Sequence, residues 1–448
     1  MTWRRYIKID VSAPIHTQYS PGYRWYVLAV LTLGYIFNFI DRQVMTILLE
    51  PIKSEFGATD TQMGLLTGLA FALFYATLGV PMARLADRWS RRNVLVISMS
   101  VWSGMTALCA TASSFGQLAL YRIGVGVGEA GGTPPSQSLL ADIFPPEQRS
   151  LAQGVLASGT NIAVLVGLFG GALLADAYGW RNVFWIFGLP GIALAVLIRF
   201  TVREPVRARE TIADDSSLWV AIRRINALPA FPSIALGVGM TAVAGYGLGV
   251  WSPSFMIRVH GLSLVDAGLY LGLIGVFGGI LGTLLSAVLV DRLAQRDPGW
   301  QLRLPMIGVL ISIPTQALFL LWPAEHYWML GDKVFPVALV FMFLSAIFAS
   351  FWIAPSYAAV QNLVPPHWRT QAAALLLFIL NLLGLGLGPL VVGWLSDVYG
   401  DLGDVSIRYA LLSSLAFCLV GALSFARASK PYAGAINSVV TRERAAAS

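Results

Sequence analysis

Twelve apolar runs, each long enough to cross a bilayer, follow one another along this 448-residue chain. They lie near residues 25–49, 62–83, 93–112, 117–140, 151–175, 183–201, 231–255, 265–290, 304–322, 334–358, 372–395 and 407–425. A helix rises about 1.5 Å per residue and a bilayer core is about 30 Å thick, so about 20 apolar residues cross it. Composition agrees: 56% of the residues are hydrophobic and 12% are charged, where soluble domains carry about 25% charged residues. The expectation is an all-α membrane protein of twelve transmembrane helices. The alternating pattern of a membrane barrel is absent.

Charge sets the expected topology. Arg4, Arg5, Lys8 and Arg24 precede or open the first run, which keeps the N-terminus cytoplasmic, and an even number of spans returns the C-terminus to the same side. That first run is too long for the core of a cleavable signal. In this arrangement 23 basic residues fall on the cytoplasmic side and only 5 outside, namely Lys53, Arg181, Arg258, Lys333 and Arg408. The net charge of +7 is therefore a property of topology; the basic residues are spread over short loops, which speaks against a nucleic-acid partner. Cys109 and Cys418 fall inside spans and read as packing residues.

The chain divides into two halves. The widest polar interruption, 202–230, carries Arg203, Glu204, Arg207, Arg209, Glu210, Asp214 and Asp215. It separates an N-tail (1–24) and first bundle (25–201) from a second bundle (231–425) and C-tail (426–448), both tails and the linker being cytoplasmic. Asp60-Thr-Gln-Met-Gly64-Leu-Leu-Thr-Gly68 aligns with Leu264-Val-Asp-Ala-Gly268-Leu-Tyr-Leu-Gly272 at a spacing of 204, and Asp87-Arg88 with Asp291-Arg292 at the same spacing. Phe144–Arg149 matches Val364–Arg369 at 220, and Asp176-Ala-Tyr-Gly179 matches Asp397-Val-Tyr-Gly400 at 221. Two parallel six-span halves are what a carrier that rocks one half against the other requires.

Four ionisable residues interrupt the apolar runs of the first half: Asp41 and Arg42 in the first, Arg122 and Glu129 in the fourth. A charge in hydrocarbon costs about 2.5–3.5 kcal/mol on insertion scales unless it meets a partner or water. Arg122 and Glu129 are two helical turns apart and share a face. Glu129 falls near the midplane, about 18 Å into its span, and Asp41 about 24 Å into its own. Arg122 is then placed to neutralise Asp41 or Glu129 in alternation, unless the four form a static lock between helices. A buried carboxylate with a mobile counter-charge is the element that proton coupling needs. His16, His260, His326 and His367 all lie in tails or at loop edges, so proton carriage falls to the carboxylates. Sodium held by Asp41, Asn38 and carbonyl groups is the competing driver. The equivalent of Asp41 at spacing 204 is Gly245, which places coupling in the first half and an apolar lining in the second.

Arg42 points about 100° away from Asp41. It is suited either to a phosphate or carboxylate on a substrate or to pairing with Asp41 or Glu129. Phe37, Asn38, Asn161, Tyr246, Trp251, Trp352 and Asn381 are further residues inside spans that would line a cavity, set against the ordinary reading of in-span aromatics as packing groups.

The segment Asp87-Arg-Trp-Ser-Arg-Arg92, the run Arg122-Ile-Gly-Val-Gly126-Val-Gly128-Glu129 and the glycines at 159, 167, 170 and 171 resemble the signatures of the major facilitator superfamily, with Ala83 and Ser90 in place of the usual loop glycines and no Gly-Pro pair in the fifth span. Asn38-Phe-Ile-Asp41-Arg42 together with Gly126-Val-Gly-Glu-Ala130 resembles more closely the spinster branch, most strongly over residues 35–150. The resemblance implies a major facilitator fold and a gate latch built from Asp87, Arg88, Arg91, Arg92 and their partial copy Asp291 and Arg292, which a plain cytoplasmic basic flank would also explain. It implies a secondary carrier of an amphipathic lipid such as a lysophospholipid or sphingosine phosphate. A small organic anion such as a sugar acid is the alternative. No metal or organic cofactor is expected, the proton gradient supplying the drive. No nucleophile–base pair or zinc-ligand set points to an enzyme, and nothing requires more than a monomer in the cell membrane.

Overall fold

The computed structural model describes residues 19–205, 218–365 and 368–447; Arg4, Arg5, Lys8, His16, Arg207, Arg209, Glu210, Asp214, Asp215 and His367 lie outside them. In chain order the helices are α1 (Pro21–Ile47), α2 (Leu49–Phe56), α3 (Asp60–Thr67), α4 (Leu69–Arg88), α5 (Arg91–Cys109), α6 (Phe115–Glu129), α7 (Thr133–Ile143), α8 (Pro146–Leu165), α9 (Gly171–Tyr178), α10 (Trp180–Thr201), α11 (Leu218–Asn226), α12 (Phe231–His260), α13 (Leu264–Ala294) and α14 (Trp300–Leu321). A hairpin of β1 (Tyr327–Leu330) and β2 (Lys333–Pro336) follows, then α15 (Ala338–Ala349), α16 (Ile353–Asn362), α17 (Arg369–Ile379), α18 (Gly388–Val398) and α19 (Ser406–Ala447). Ten helical stretches are long and apolar enough to cross a membrane. The polar third and fourth crossings, α5 and α6–α7, bring the set to twelve.

The internal repeat is visible in the turns. Thr59 and Ser263, 204 residues apart, both cap a helix by accepting a backbone N–H three residues on. Gly57 and Gly261, at the same spacing, both end the preceding helix in the left-handed region that a side chain would strain. The fifth and eleventh crossings each carry a π-helical stretch, Val166–Gly170 and Leu380–Leu387. Such bulges shift the ladder of side chains where a helix meets a functional surface.

The two ends of the bundle differ. At the end that bears α2 and the β-hairpin, a single buried cluster draws on both halves, from Ile40, Met45 and Leu168 to Trp251, Tyr270 and Ile407. Toward the other end, where α5 begins at Arg91, the buried residues fall into one cluster drawn from the first half apart from Leu385 and another drawn from the second half, with Tyr246 packed against both. Among the described residues, the hydrogen bonds and ion pairs that cross between halves all lie at the hairpin end. Close backbone approach makes this contact possible: a Cβ at Gly64 would strike the Pro389 carbonyl, and one at Gly68 the Gly386 carbonyl. The molecule is thus closed at the hairpin end and parted at the Arg91 end.

Several boundaries differ from the sequence expectation, two of them for a plain physical reason. The tenth crossing starts at Ala338, because Val334, Phe335 and Pro336 belong to β2, whose backbone pairs with β1. The last helix continues past residue 425 to Ala447 without stopping at Pro431. The fourth crossing is also not one continuous helix: α6 stops at Glu129 and α7 begins at Thr133.

Candidate functional site

The break after Glu129 sets the site. Gly126 packs where a Cβ would meet the Phe71 carbonyl, and Gly128 where one would meet the Trp102 backbone. These glycines let α6 sit against α4 and α5 and carry the Glu129 carboxylate, fully buried, to α1. There Arg42 meets it through both Nε and Nη2, at 2.9 and 2.6 Å from Oε2. The guanidinium is also boxed by rings, 4.8 Å from Phe39, 4.8 Å from Phe71 and 4.5 Å from Tyr75. Cation–ring contacts of this kind contribute about 0.5–2 kcal/mol each. The Arg42 side chain keeps 14% exposure against none for Glu129, so Arg42 is the member that faces outward.

Asp41 turns to the other side of α1. It is 3% exposed and accepts a 2.9 Å hydrogen bond from the Thr106 hydroxyl on α5. Arg122 is 1% exposed and lies 5.4 Å from the Phe71 ring. Its Nε and Nη1 find no hydrogen-bond partner among the described residues, nor does Glu129 Oε1. The sequence placed Arg122 as the counter-charge and left Arg42 open between substrate and pairing. In this conformation the ion pair is Arg42–Glu129, while Arg122, two turns back along α6, makes no ion pair among the described residues.

The other expected lining residues are distributed. Asn38 is buried on α1, one turn before Arg42, with neither amide atom partnered. Phe37 packs on the first-half core, and Tyr246 sits between the cores of the two halves. Asn161 is half-buried on α8, and Asn381 is 7% exposed in the second π-helical stretch. Trp251 does not line an open cavity: it is fully buried at the closed end and its indole donates to the Pro389 carbonyl at 2.9 Å, a packing role. Trp352 is likewise buried in the second-half core.

The basic loop resolves into two kinds of residue. Asp87, Arg88, Asp291 and Arg292 are exposed at the parted end. Arg91 is 1% exposed and binds Asp142 at 2.6 Å, Glu204 at 3.1 Å and the Ser138 hydroxyl at 2.9 Å. Arg92 and Ser90 bind Glu204 from the same turn, through the Arg92 N–H and the Ser90 hydroxyl, each at 2.8 Å. These contacts tie α5, α7 and the end of α10 within one half and do not cross between halves. Burial of Glu204 opposes its charge, but the Arg92 N–H, the Ser90 hydroxyl and the Arg91 guanidinium outweigh burial and hold its carboxyl below the usual glutamate range. A carboxyl lowered by folding stabilises the fold above its unfolded value, about 4.3, and that gain is lost as pH falls through the folded value. The thermal stability of the purified protein should therefore fall more steeply below that pH than that of Glu204→Gln; identical slopes would remove Glu204 from the account.

A network that the sequence did not mark as functional holds the closed end. Arg258, from α12, reaches across to Asp60 at 2.7 and 2.8 Å and to Glu50 at 2.7 Å. Lys53 and the Ser396 hydroxyl also bind Asp60, at 2.6 and 2.7 Å. Asp397 caps the start of α3 through the backbone N–H groups of Asp60 and Thr61, at 3.0 and 2.7 Å, a placement that also suits the positive end of the helix dipole. The available signal was the repeat itself, since Asp60 and Asp397 both belong to duplicated motifs.

The Major Facilitator Superfamily pattern matches residues 31–382. An MFS-type efflux pump of Mycolicibacterium smegmatis is 35% identical, over 93% of this chain and 95% of its own length. Protein spinster homolog 1 of Homo sapiens is 27% identical over 85% of this chain and 74% of its own. The crystal structure of a bacterial homolog of the human lysosomal transporter spinster, in an inward-facing and unoccupied conformation, superimposes with a TM-score of 0.83 at 30% identity, covering 93% of this chain and 99% of that one. With its two repeated six-helix halves, this multi-pass membrane protein belongs to the Major Facilitator Superfamily of transporters and is similar to its spinster branch.

Proposed function

We propose that the chain is a proton-coupled carrier that moves an amphipathic lipid with an anionic or zwitterionic head by alternating access. The buried Arg42–Glu129 pair beside Asp41 carries this reading. A proton on Glu129 removes the charge that holds Arg42, and Arg42 is the member turned outward. The freed guanidinium then has two anions to choose from, Asp41 and the head group of a substrate. An anionic head thus binds best when Glu129 is protonated, which links substrate to proton without any cofactor.

The lipid part of the reading draws on the aromatic surround of Arg42, on the uncharged spans of the second half, and on the similarity to spinster proteins. With the N-terminus cytoplasmic, as the basic residues imply, the Arg91 end faces the cytoplasm. Asp87, Arg88, Asp291 and Arg292 then stand on rims that meet when that end closes, in keeping with a latch. Asn38, Asn161, Tyr246 and Asn381 remain candidates for head-group and tail contacts.

Binding measured across acyl lengths tests the substrate. Each buried methylene contributes about 0.8 kcal/mol, close to fourfold in affinity, so binding of a lysolipid series should tighten with length until the cavity is filled. Arg42→Ala should weaken every member by a similar factor, about tenfold to a hundredfold for a charge-assisted head-group contact. A flat series combined with tight binding of a short hydrophilic acid would assign the carrier to small organic anions instead.

A further inference from the structure

A line of buried polar groups runs through the first half. On α5, Ser98, Trp102 and Thr106 recur at every fourth residue and are 1–2% exposed; this spacing stacks them on one face. Facing them on α1, Asn38 and Asp41 are one turn apart. Thr106 is bound to Asp41. The rest are not satisfied by protein: Asn38 Oδ1 and Nδ2, Trp102 Nε1, Ser98 Oγ and Glu129 Oε1 have no partner among the described residues. Leaving one buried donor or acceptor unmet costs about 1–3 kcal/mol, so the unmet atoms of Asn38 and Trp102, which border one cavity, call for a shared ligand.

The space for one is present. A cavity of about 10 Å³ of water-accessible volume is lined by Tyr35, Asn38, Met99, Trp102, Gly132 and Ser136, among others. That is close to the room one water needs, and a buried water seeks two to four polar partners. Asn38 offers a donor and an acceptor, and Trp102 a donor. Ser136 spends its hydroxyl hydrogen on the Gly132 carbonyl, at 2.9 Å, and keeps its lone pairs. The Gly132 amide in turn donates to the Glu129 carbonyl across the break between α6 and α7.

We propose that this cavity is a hydration site, and that its water, with the Ser98 and Ser136 hydroxyls, forms a proton path from the Arg91 end to Glu129 and Asp41 inside the first half. Waters and hydroxyls pass the proton; Asn38 and Trp102 hold the water in place, since an indole N–H can donate but not relay. The cavity is lined by α1, α5, the break between α6 and α7, and α7, all elements of the first half. The titratable and charged groups that meet it are Tyr35, Asp41 and Arg42 from α1 and Arg122 and Glu129 from α6; α5 brings Arg91 at its start and the Cys109 thiol at its end, and α7 brings Asp142 at its far end.

The path rests on the proton-coupled reading, while the hydration site stands without it, and two measurements separate them. Radiolytic footprinting of the full chain labels buried side chains only where a bound water is near. Trp102 and Trp251 make an internal pair, at 1% and 0% exposure, of which only Trp251 has its N–H satisfied. Wild-type Trp102 should be labelled about tenfold faster than Trp251, and Asn38→Leu should remove most of that excess. Equal labelling of the two tryptophans in the wild type, which needs no variant to fold, would overturn the hydration site. In a pH jump on substrate-saturated protein, Ser98→Ala, which removes one relay hydroxyl, should slow the response of a distance reporter at the gate about tenfold while leaving its end-point unchanged. An unchanged rate would overturn the path. A wild-type gate that ignores pH would overturn the proton-coupled reading and the path with it, and leave the footprinting result to decide the hydration site.

Discussion

Glu129→Gln is expected to abolish pH-dependent substrate binding and to stop transport while the protein still folds. Glutamine keeps the shape of the side chain and presents the neutral form permanently. Arg42 then loses the one carboxylate bonded to it among the described residues. Removing one partner from a buried ion pair costs about 3–5 kcal/mol, more than a hundredfold in whatever equilibrium depends on the pair. The variant should bind an anionic-headed substrate at all pH values with the affinity that the wild type reaches only at low pH. Because the proton can no longer leave, the cycle cannot reset. Isothermal binding at several pH values checks this. A variant whose affinity still follows pH as in the wild type would show that Glu129 is not the titrating group.

Asp60→Asn is expected to have a comparably large effect through a different link, the closed end. Asp60 receives Arg258 from the opposite half, Lys53 from its own, and the Ser396 hydroxyl. Its loss leaves Arg258 with Glu50 alone in a site where the arginine side chain is only 10% exposed. A shift of about 3 kcal/mol in favour of opening would raise the population of the opposite conformation about a hundredfold. Spin labels placed on α3 and α18 should report a longer distance in the variant, and Arg258→Ala should add little to it, since both changes break one contact. Full additivity of the two, or an unchanged distance, would mean that the network does not hold this end closed. By the same logic Gly64→Val, which drives a side chain into the Pro389 carbonyl, should open the same end and leave the Arg91 end unaffected.

Much of the architecture was legible because hydropathy acts locally. Each crossing announces itself through about 20 consecutive side chains, and the duplicated motifs set Asp60–Gly68 opposite Leu264–Gly272 and Asp87-Arg88 opposite Asp291-Arg292. What failed to show were interruptions that cost little in hydropathy. Glu129-Ala-Gly-Gly132 is small and apolar enough to read as one helix, yet the chain breaks there. Val334 and Phe335 are as apolar as the helix that follows, yet they pair with β1 because Gly331 turns the chain back in the left-handed region.

The charges inside the spans were legible as a group, but not their pairing. Arg42 and Glu129 are 87 residues apart in sequence, and which arginine reaches the glutamate depends on where α6 ends. The closed-end network was hidden for a different reason. Lys53 and Arg258 stand at loop edges on the expected outer side, where the sequence shows no partner for either. Their meeting at Asp60 is set by the packing of two halves whose sequences carry no joint signal. Relations within one element, such as the shared face of Arg122 and Glu129, could be read from spacing; contacts across halves could not.

The most direct test of the account is uptake by vesicles that carry a single purified protein and an imposed pH gradient. A labelled lysophospholipid and a labelled sugar acid should be offered in turn, to the wild type and to Glu129→Gln. The account predicts that the wild type moves the lysophospholipid, that the movement stops when the gradient is collapsed, and that Glu129→Gln moves none while still binding it. Wild-type transport of the lipid that is indifferent to the gradient would contradict the account at its centre.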